Sequence, residues 1–198
     1  MRLWNANIHY HRLLVSAIPE GAVHVLDVGC GDGVLSADLV QAGVPHVVAL
    51  DVDAGVLSRA RARHVGLPIE WIHGDVFDSE LANHRFDAVV SVATLHHLDA
   101  TAGLIRFAQL VRPGGVVGVV GLAADNWWDL PFTAVGQCAR IAASVIRGYW
   151  EHSAPMVWPP PVTYREMKQV ARQILPGVQY RRHLYGRYSL IWTRPTDR

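Results

Sequence analysis

Short runs of apolar, often β-branched residues alternate along the chain with stretches of helical periodicity. Five runs before residue 122 are predicted to be strands, at residues 24–28, 46–51, 69–73, 86–91 and 115–121. Each is apolar almost without interruption, which is typical of strands buried on both faces of a sheet. Helices are predicted between them, at residues 34–42, 54–64 and 101–111. This alternation predicts βαβ units and a parallel sheet.

The pattern changes after residue 121. Residues 122–162 contain several tryptophans and end in a run of prolines, and residues 132–149 within them have a helical pattern. We expect a helical insertion that lies over the mouth of a ligand site. Thr163 and Glu166 have the spacing of a capping box, which predicts a further helix to about residue 175. Segments 178–185 and 188–194 then predict a β-hairpin.

Composition and charge narrow the class of protein. The 198 residues suffice for a single α/β domain over residues 1–198, and the formal net charge of +1 gives no overall attraction to nucleic acid or anionic lipid. Cys30 and Cys138 lie far apart, so neither a metal site nor a disulfide framework is expected. No signal peptide is visible, and the longest apolar stretch is interrupted by Gln137, Arg140 and Arg147. We therefore expect a cytoplasmic protein without stable membrane insertion.

The strongest local signal is the glycine-rich turn that follows the first predicted strand. Gly29, Gly31 and Gly33 alternate there before a helix, so that a ligand can lie directly against the backbone and the helix N-terminus. A dinucleotide fingerprint would need a third glycine where Val34 stands. Asp27, inside the strand, suits a cationic ligand better than a pyrophosphate. A tight turn without any ligand is the alternative.

Residues 25–33, VLDVGCGDG, resemble motif I of the class I (Rossmann-like) S-adenosylmethionine-dependent methyltransferases of the small-molecule type. Further motifs are similar to that family in the same order: Asp51 ends the second strand, Asp75 follows the third, and residues 86–98 and 110–115 match the fourth strand and the turn before the fifth. The resemblance implies a doubly wound, mostly parallel seven-stranded sheet with an antiparallel last strand and a helical insertion after strand 5. It also implies S-adenosyl-L-methionine as cofactor.

Carried over position by position, the resemblance implies a set of cofactor-binding residues. Asp27, Gly29, Cys30 and Gly31 line the methionine end, and Asp51 binds the ribose. Val52, Asp75 and Val76 contact the adenine. Ser91 and Val92 close the end of the fourth strand beside the methionine part. Three acidic or thiol side chains have an alternative interpretation. Asp53 and Asp75 have the position of helix caps, and Cys30 has the size of a residue that only fills space.

Methyl transfer is an in-line displacement at a sulfonium carbon, so the protein chiefly supplies alignment and a shielded pocket. A general base is needed when the acceptor is a hydroxyl or a protonated amine. The candidates lie in the N-terminal segment 1–20, which resembles a lid helix, and after the fourth strand. They are His9, Tyr10, His11 and His96. The alternative is that these side chains are hydrogen-bonded locally and have no role in the reaction.

Several features bear on the methyl acceptor. After the fourth strand the sequence reads Ser91-Val-Ala-Thr94, without the Asn/Asp-Pro-Pro-aromatic motif of enzymes that methylate nucleic-acid amines, so we expect a small-molecule acceptor and no nucleic acid. Lipid or quinone acceptors stay open. The tryptophans of the insertion are either a wall of the acceptor site or the core of the insertion. The basic run Arg181, Arg182, His183 and Arg187 is interpreted as a solvated strand face rather than a contact for an acidic acceptor.

Two other functions remain compatible with the sequence. The first is an NAD(P)-dependent oxidoreductase on the same topology, since an acid at the end of the second strand is shared by both classes. The second is a non-catalytic S-adenosylmethionine-binding protein. The pattern does not indicate an oligomeric state.

Overall fold

The computed structural model describes residues 4–78, 81, 85–150 and 159–196. Within these ranges the strands are β1 His24–Val28, β2 His46–Asp51, β3 Ile69–His73, β4 Phe86–Val92, β5 Val111–Gly121, β6 Gln179–His183 and β7 Arg187–Thr193. The α-helices are α1 His11–Val15, α2 Val34–Gln41, α3 Ala54–Arg63, α4 Ala100–Leu110, α5 Leu130–Arg147 and α6 Tyr164–Ile174. In the part of the chain so described, no helix is both long and apolar enough to cross a lipid bilayer.

The strands form one sheet in the order β3-β2-β1-β4-β5-β7-β6. Strands β1 to β5 pair in parallel, whereas β7 runs antiparallel to both β5 and β6. This confirms the predicted α/β class with a mostly parallel seven-stranded sheet and an antiparallel last strand. The strand order reverses direction between β1 and β4, and ligands of such sheets bind at the carboxyl ends of the strands beside that point.

Two apolar cores cover the two faces of the sheet. On one face, Phe107 of α4 and Met167 of α6 are completely buried. On the other face, Leu14 of α1 packs with Leu35 and Leu39 of α2. Each central strand therefore contributes side chains to both cores, which explains why its sequence is apolar at successive positions.

Strand β3 departs from the prediction that all five early strands are buried on both faces. Glu70 is exposed, and Trp71 and Ile72 are half-buried. The reason is its place at the edge of the sheet, where it pairs with β2 alone among the described strands. An apolar run cannot distinguish an edge strand from a central one.

The junction of α4 and β5 also differs from the prediction. The helix ends at Leu110, and β5 begins at Val111 rather than at residue 115. Val111 pairs with Phe86, and an irregularity in register before Ala88 lets the strand continue through Pro113. The proline and the glycine after it are thus inside an irregular strand end and not in a turn that separates helix from strand.

Two predicted helix caps are confirmed. The carboxylate of Asp53 accepts hydrogen bonds from the N–H groups of Gly55 and Val56 at 2.8 and 3.0 Å, at the start of α3. Thr163 and Glu166 form a reciprocal capping box at the start of α6. Caps of this kind satisfy the N–H groups that the first helical turn leaves unpaired.

The N-terminal segment contains less helix than the lid helix predicted within residues 1–20. A 3₁₀ turn, Ile8–Tyr10, leads into α1, which has five residues. The side chain of Asn5 explains the start of the turn, because its Oδ1 accepts hydrogen bonds from the N–H groups of Asn7 and Ile8, both at 2.9 Å. Residues 1–3 lie outside the described residues.

The insertion is helical, as predicted, but its tryptophans are not gathered in a core. Helix α5 occupies 18 residues and starts just after Trp127 and Trp128, whose exposed fractions are 66% and 69%. These two therefore belong neither to a buried core nor to a shielded wall. Trp158 falls outside the described residues. Helix α5 also exposes apolar side chains, among them Val145 and Ile146.

Asp87 ties the start of the sheet together. Its Oδ2 accepts hydrogen bonds from the N–H groups of Val23 and His24 at 2.6 and 2.8 Å, and its Oδ1 pairs with Arg112. Burial raises the pKa of this carboxyl, but the two N–H donors and then the guanidinium outweigh burial, so that the pKa of Asp87 is below its ordinary value. A carboxyl with a lowered pKa stabilises the fold above its unfolded-state pKa.

We expect Asp87→Asn to lower the free energy of unfolding by about 1–2 kcal/mol at neutral pH, because charge-assisted hydrogen bonds become neutral ones. The difference from the unmodified protein should shrink as the pH falls through the lowered pKa, where the carboxyl is protonated in both states. Urea denaturation over a pH series measures this. The exposed Glu20→Gln is the control, and a difference that did not change with pH would contradict the interpretation.

Candidate active site

The glycine turn after β1 is fastened to the end of β2. The N–H groups of Gly29 and Cys30 both donate to the carbonyl of Leu50, at 2.8 and 3.0 Å. The N–H of Gly31 donates to Oδ2 of Asp51 at 2.9 Å. The turn is therefore held by backbone and carboxylate acceptors of the neighbouring strand, and its shape is set before any ligand is considered.

Gly29 and Gly31 are required for different reasons. Both have a positive φ, +69° and +54°, which favours glycine. A Cβ on Gly29 would lie 2.1 Å from Oγ1 of Thr94, so the backbone of this residue is in close contact with the loop after β4. A Cβ on Gly31 would meet no atom within 4 Å. Gly31 therefore faces open space, which is what a ligand cradle requires.

A cavity of about 270 Å³ lies at the carboxyl ends of β1, β2, β4 and β5. This is close to the lower end of the volumes usual for small-molecule sites, about 300–1,000 Å³. Nine of the ten predicted cofactor residues line it: Asp27, Gly29, Cys30, Gly31, Asp51, Val52, Asp75, Val76 and Val92. Ser91 does not line it, because the side chain is completely buried and its hydroxyl donates to the carbonyl of Val28 at 2.9 Å.

Asp27 is a buried carboxyl at the bottom of this cavity. Only 1% of its surface is exposed, and the hydroxyl of Ser36 donates to its Oδ2 at 2.6 Å. Burial raises the pKa of Asp27 to about 7, against the effect of the Ser36 hydrogen bond, and the charges of Asp51 and Asp38 raise it further. The cavity thus contains a carboxyl whose ionised form a nearby cation would favour.

Asp51 and Asp75 both have structural partners. Oδ1 of Asp51 accepts a hydrogen bond from the N–H of Asp53 at 3.0 Å, in addition to the bond from the glycine turn. Oδ1 of Asp75 accepts from the N–H of Phe77 at 3.0 Å, within a turn over residues 76–78. Each carboxylate oxygen has a second lone pair, so these bonds leave capacity for a ligand.

The thiol of Cys30 is buried and belongs to an apolar core as well as to the cavity wall. Burial, followed by the charges of Asp27 and Asp51, raises the pKa of this thiol above its ordinary value. A thiol in this state is not a nucleophile at neutral pH. These observations agree with Cys30 as a residue that fills space.

The opposite wall of the cavity comes from parts of the chain that the motifs did not cover. Asn5, Asn7, Leu122 and Trp150 line it. The N–H of Trp150 donates to the carbonyl of Trp4 at 2.9 Å, and the Asn5 amide donates to the carbonyl of Trp150 at 3.3 Å. The N-terminal segment and the residues just after α5 thus close this side together. Asparagines near the N-terminus carried no sequence signal for this role.

Two of the four base candidates are not on the cavity wall. The hydroxyl of Tyr10 donates to the carbonyl of Leu184 at 2.7 Å, and burial raises the pKa of Tyr10 to about 12. His9 packs edge-on against Tyr10 and Tyr185, with ring centroids 4.7 and 5.1 Å away. Both side chains contact the β6–β7 hairpin, which corresponds to the locally bonded alternative.

The other two candidates, His11 and His96, do line the cavity. Nδ1 of His11 lies 2.8 Å from Oδ2 of Asp38. His96 is 4% exposed, and neither of its ring nitrogens has a hydrogen-bond partner among the described residues. Burial, together with the charges of His97 and Arg187, lowers the pKa of His96 to about 4, so the imidazole is neutral at physiological pH.

The basic run on the last hairpin is not a uniformly solvated face. Arg181 is exposed, but Arg182 forms ion pairs with Asp125, at 2.7 Å, and with Asp129. Arg187 lines the cavity. It is the first residue of β7, and an antiparallel strand begins at the edge where its parallel neighbours end. The position of Arg187 at the start of the predicted last strand therefore indicated that it lies at the ligand-binding edge. The interpretation of the whole basic run as one solvated face missed this.

Comparison with known proteins agrees with this geometry. A family model described as a methyltransferase domain matches residues 25–115. An uncharacterised methyltransferase of Mycobacterium tuberculosis is 46% identical over 198 residues, which cover 97% of this chain and 98% of that protein. A ubiquinone biosynthesis O-methyltransferase of Cereibacter sphaeroides is 30% identical over 110 residues, which cover 54% of this chain and 44% of that protein.

Solved structures share the fold. The S-adenosylmethionine-dependent methyltransferase SibL matches with a TM-score of 0.65 at 21% identity, over 96% of this chain and 55% of that chain. The N-methyltransferase NodS of Bradyrhizobium japonicum matches with a TM-score of 0.62 at 13% identity, over 95% and 96%. The family model, the relative of M. tuberculosis and the fold together define a methyltransferase with a Rossmann-like fold. With the relative of M. tuberculosis matched along its length, the chain belongs to the class I S-adenosylmethionine-dependent methyltransferases.

Gly29→Ala and Gly31→Ala should differ in their effect on stability. Each introduces a Cβ at a positive φ, at a cost of about 1–2 kcal/mol. Gly29→Ala should lose a further 1–3 kcal/mol or so, because its Cβ overlaps the stiff side chain of Thr94. Urea denaturation of the two variants compares them directly. Equal losses would show that the close contact between the turn and Thr94 is absent.

Proposed function

We propose that the protein transfers the methyl group of S-adenosylmethionine to a small-molecule acceptor held in the cavity at the carboxyl edge of the sheet. The observation that supports this most is the shape of that one cavity. Its first wall is the glycine turn with the acids at the carboxyl ends of β1 to β3, and its second wall is formed by the N-terminal segment, Leu122 and Trp150. A cofactor wall and a closed acceptor wall thus share one space.

The residues present fit the cofactor. Gly31 presents open backbone to the cavity, and Asp27 can ionise beside a cation. Asp51 retains lone pairs for ribose hydroxyls, and Val52, which is largely exposed, is available to an adenine face. We assign the methionine end to Asp27, Gly29 and Gly31 and the adenine end to Asp75 and Val76. When bound, the cofactor supplies a methyl group on a sulfonium leaving group.

The remaining tasks fall to the chain itself. The N-terminal segment and Trp150, joined by the hydrogen bonds described above, shield the acceptor side from water. Because the charge on sulfur disperses during the displacement, alignment contributes more than a charged wall. Where the acceptor must lose a proton, we assign His11 or His96 to receive it, since both line the cavity.

The alternative of an NAD(P)-dependent oxidoreductase receives no support from the site. The position of a third fingerprint glycine is occupied by Val34, which begins α2. The similarity to the ubiquinone biosynthesis enzyme covers about half of this chain, so it leaves the acceptor unassigned. A non-catalytic binding protein would share the cofactor half and differ in turnover.

Titration calorimetry with S-adenosylhomocysteine tests the first part of the proposal, that the cavity binds the cofactor. We expect binding, with NAD producing no heat under the same conditions. Asp51→Asn should weaken binding by about 1–3 kcal/mol, because a charge-assisted contact to the ribose is lost. Asp99→Asn is the matched control: it removes the same charge at a helix cap that does not line the cavity, and asparagine preserves the cap of α4. Equal affinity of the Asp51→Asn variant and the unmodified protein would refute the assignment.

The raised pKa of Asp27 predicts that cofactor affinity depends on pH. Asp27 is largely protonated below its pKa of about 7, and a ligand ammonium favours the ionised carboxylate, so binding releases a proton. Affinity for S-adenosylhomocysteine should rise by about tenfold from about pH 6 to about pH 8.

Asp27→Asn should abolish this dependence on pH. 5′-Methylthioadenosine, which lacks the amino-acid part, provides the ligand control and should bind the unmodified protein with little change over the same range. Calorimetry at each pH measures both. A parallel rise for the two ligands would place the titrating group away from the methionine end.

A further inference from the structure

Arg187 occupies the acceptor side of the cavity. It begins β7, and the next residue, Tyr188, pairs with Gly121 at the end of β5. The guanidinium therefore lies beyond the end of β5, near Leu122, whereas the glycine turn belongs to β1, with β4 between the two strands. Its side chain and the proposed methionine end of the cofactor are thus on different sides of the same space.

The hydrogen bonds that Arg187 makes with described residues go to neutral oxygens. Nε donates to Oδ1 of Asn7 at 2.8 Å, and Nη1 donates to the carbonyls of Tyr185 and Gly186 at 3.2 and 3.1 Å. In the described part of the chain it has no carboxylate partner. Arg182, on the same hairpin, shows the contrast: two carboxylates pair with it, and its guanidinium lies 4.0 Å from the Tyr164 ring centroid.

Burial does not remove this charge. It lowers the pKa of Arg187 to about 10, an effect that Tyr164 and Tyr10 partly offset, so the guanidinium stays cationic at neutral pH. Arg187 is half-buried, and a partly desolvated cation without a carboxylate partner among the described residues costs folding free energy. The three bonds to neutral oxygens fix the direction of the planar guanidinium and occupy Nε and Nη1, so Nη2 remains to donate charge-assisted hydrogen bonds to a carboxylate.

His96 faces the same part of the cavity. Its two ring nitrogens are buried without hydrogen-bond partners among the described residues, and the charge of Arg187 is one of the causes of its lowered pKa. A neutral imidazole beside a fixed guanidinium offers one donor and one acceptor to a polar ligand. Buried polar atoms of native proteins generally have partners, so these two nitrogens point to a bound group.

We propose that Arg187, with His96 beside it, forms a carboxylate subsite, and that the methyl acceptor is a small carboxylic acid whose apolar part contacts Leu122 and Trp150. This rests on the proposed function. A carboxylate has two sources here, the acceptor and the methionine part of the cofactor. The position of Arg187 beyond β5 favours the acceptor, and the experiment distinguishes the two.

The first test uses the full chain saturated with S-adenosylhomocysteine. Small carboxylic acids, namely benzoate, 4-hydroxybenzoate and hexanoate, are each compared with the corresponding primary amide by calorimetry and ligand-observed NMR. We expect at least one acid to bind about tenfold or more tightly than its amide, because the amide lacks the charge. Absence of any preference for acids would overturn the proposal.

Variants test whether Arg187 causes the preference for acids over amides. Arg187→Met should abolish it and Arg187→Lys should retain part of it, since lysine keeps the charge without the planar fork. Arg181→Met, an exposed arginine of the same hairpin, is the matched control and should leave the preference unchanged. The affinity of each variant for S-adenosylhomocysteine should stay within about threefold of the original, since the proposal gives the cofactor no contact with Arg187.

A different outcome would assign the subsite to the cofactor. If Arg187→Met weakened S-adenosylhomocysteine but not 5′-methylthioadenosine, the guanidinium would bind the methionine carboxylate, and the acceptor assignment would be wrong. If the unmodified protein bound no S-adenosylhomocysteine at all, the proposed function itself would fail. That result is separate from any result with the acids.

The pKa of His96 reports on carboxylate binding in the unmodified protein, so this test does not depend on a folded variant. A carboxylate bound at Arg187 offsets the charge that lowers this pKa, so NMR titration of His96 should show its pKa rising when the acid is added. The charged groups that act on His96 are Arg187 and His97. An acid that binds without any change in this titration would show that His96 is not part of the subsite.

Discussion

The attachment of the glycine turn to the end of β2 is the constraint on which the cavity depends. Two N–H groups of the turn share the carbonyl of Leu50, and a third donates to the carboxylate of Asp51. These bonds hold Gly31 open toward the cavity while Gly29 contacts the loop that carries Thr94. One short turn thereby sets the distance between β1, β2 and β4 at their carboxyl ends. Because its bonds are internal to the protein, the cradle needs no ligand to acquire its shape.

The parts of the fold that could be predicted are those where a local pattern has one physical solution. The bounds of β1, β2 and β3 follow from apolar runs between polar residues, and the cap at Asp53 follows from its side-chain chemistry. The burial of β3 and the start of β5 could not be predicted in this way. Both depend on which strand lies alongside, and pairing such as that of Val111 with Phe86 joins residues far apart in the chain.

The two walls of the cavity also differ in how far the local sequence could predict them. The wall proposed for the cofactor is local in sequence, since a strand, a turn and an acid define each of its parts, and nearly all the residues that the motifs indicated line the cavity. Ser91 does not line the cavity, whereas Val92 does, because alternate residues of a strand face opposite directions. The acceptor wall combines Asn7, Trp150 and Arg187 from three distant segments. No spacing in the chain relates them, and the antiparallel β7 and the bond between Trp150 and Trp4 bring them together.

The two thiols of the chain have opposite environments, with a practical consequence. Cys30 is buried, and its raised pKa keeps it protonated, whereas Cys138 is exposed on α5. A maleimide dye at neutral pH therefore has one accessible target in the natural sequence. A fluorophore attached there would report on the surroundings of the insertion from outside the cavity, without any engineered cysteine.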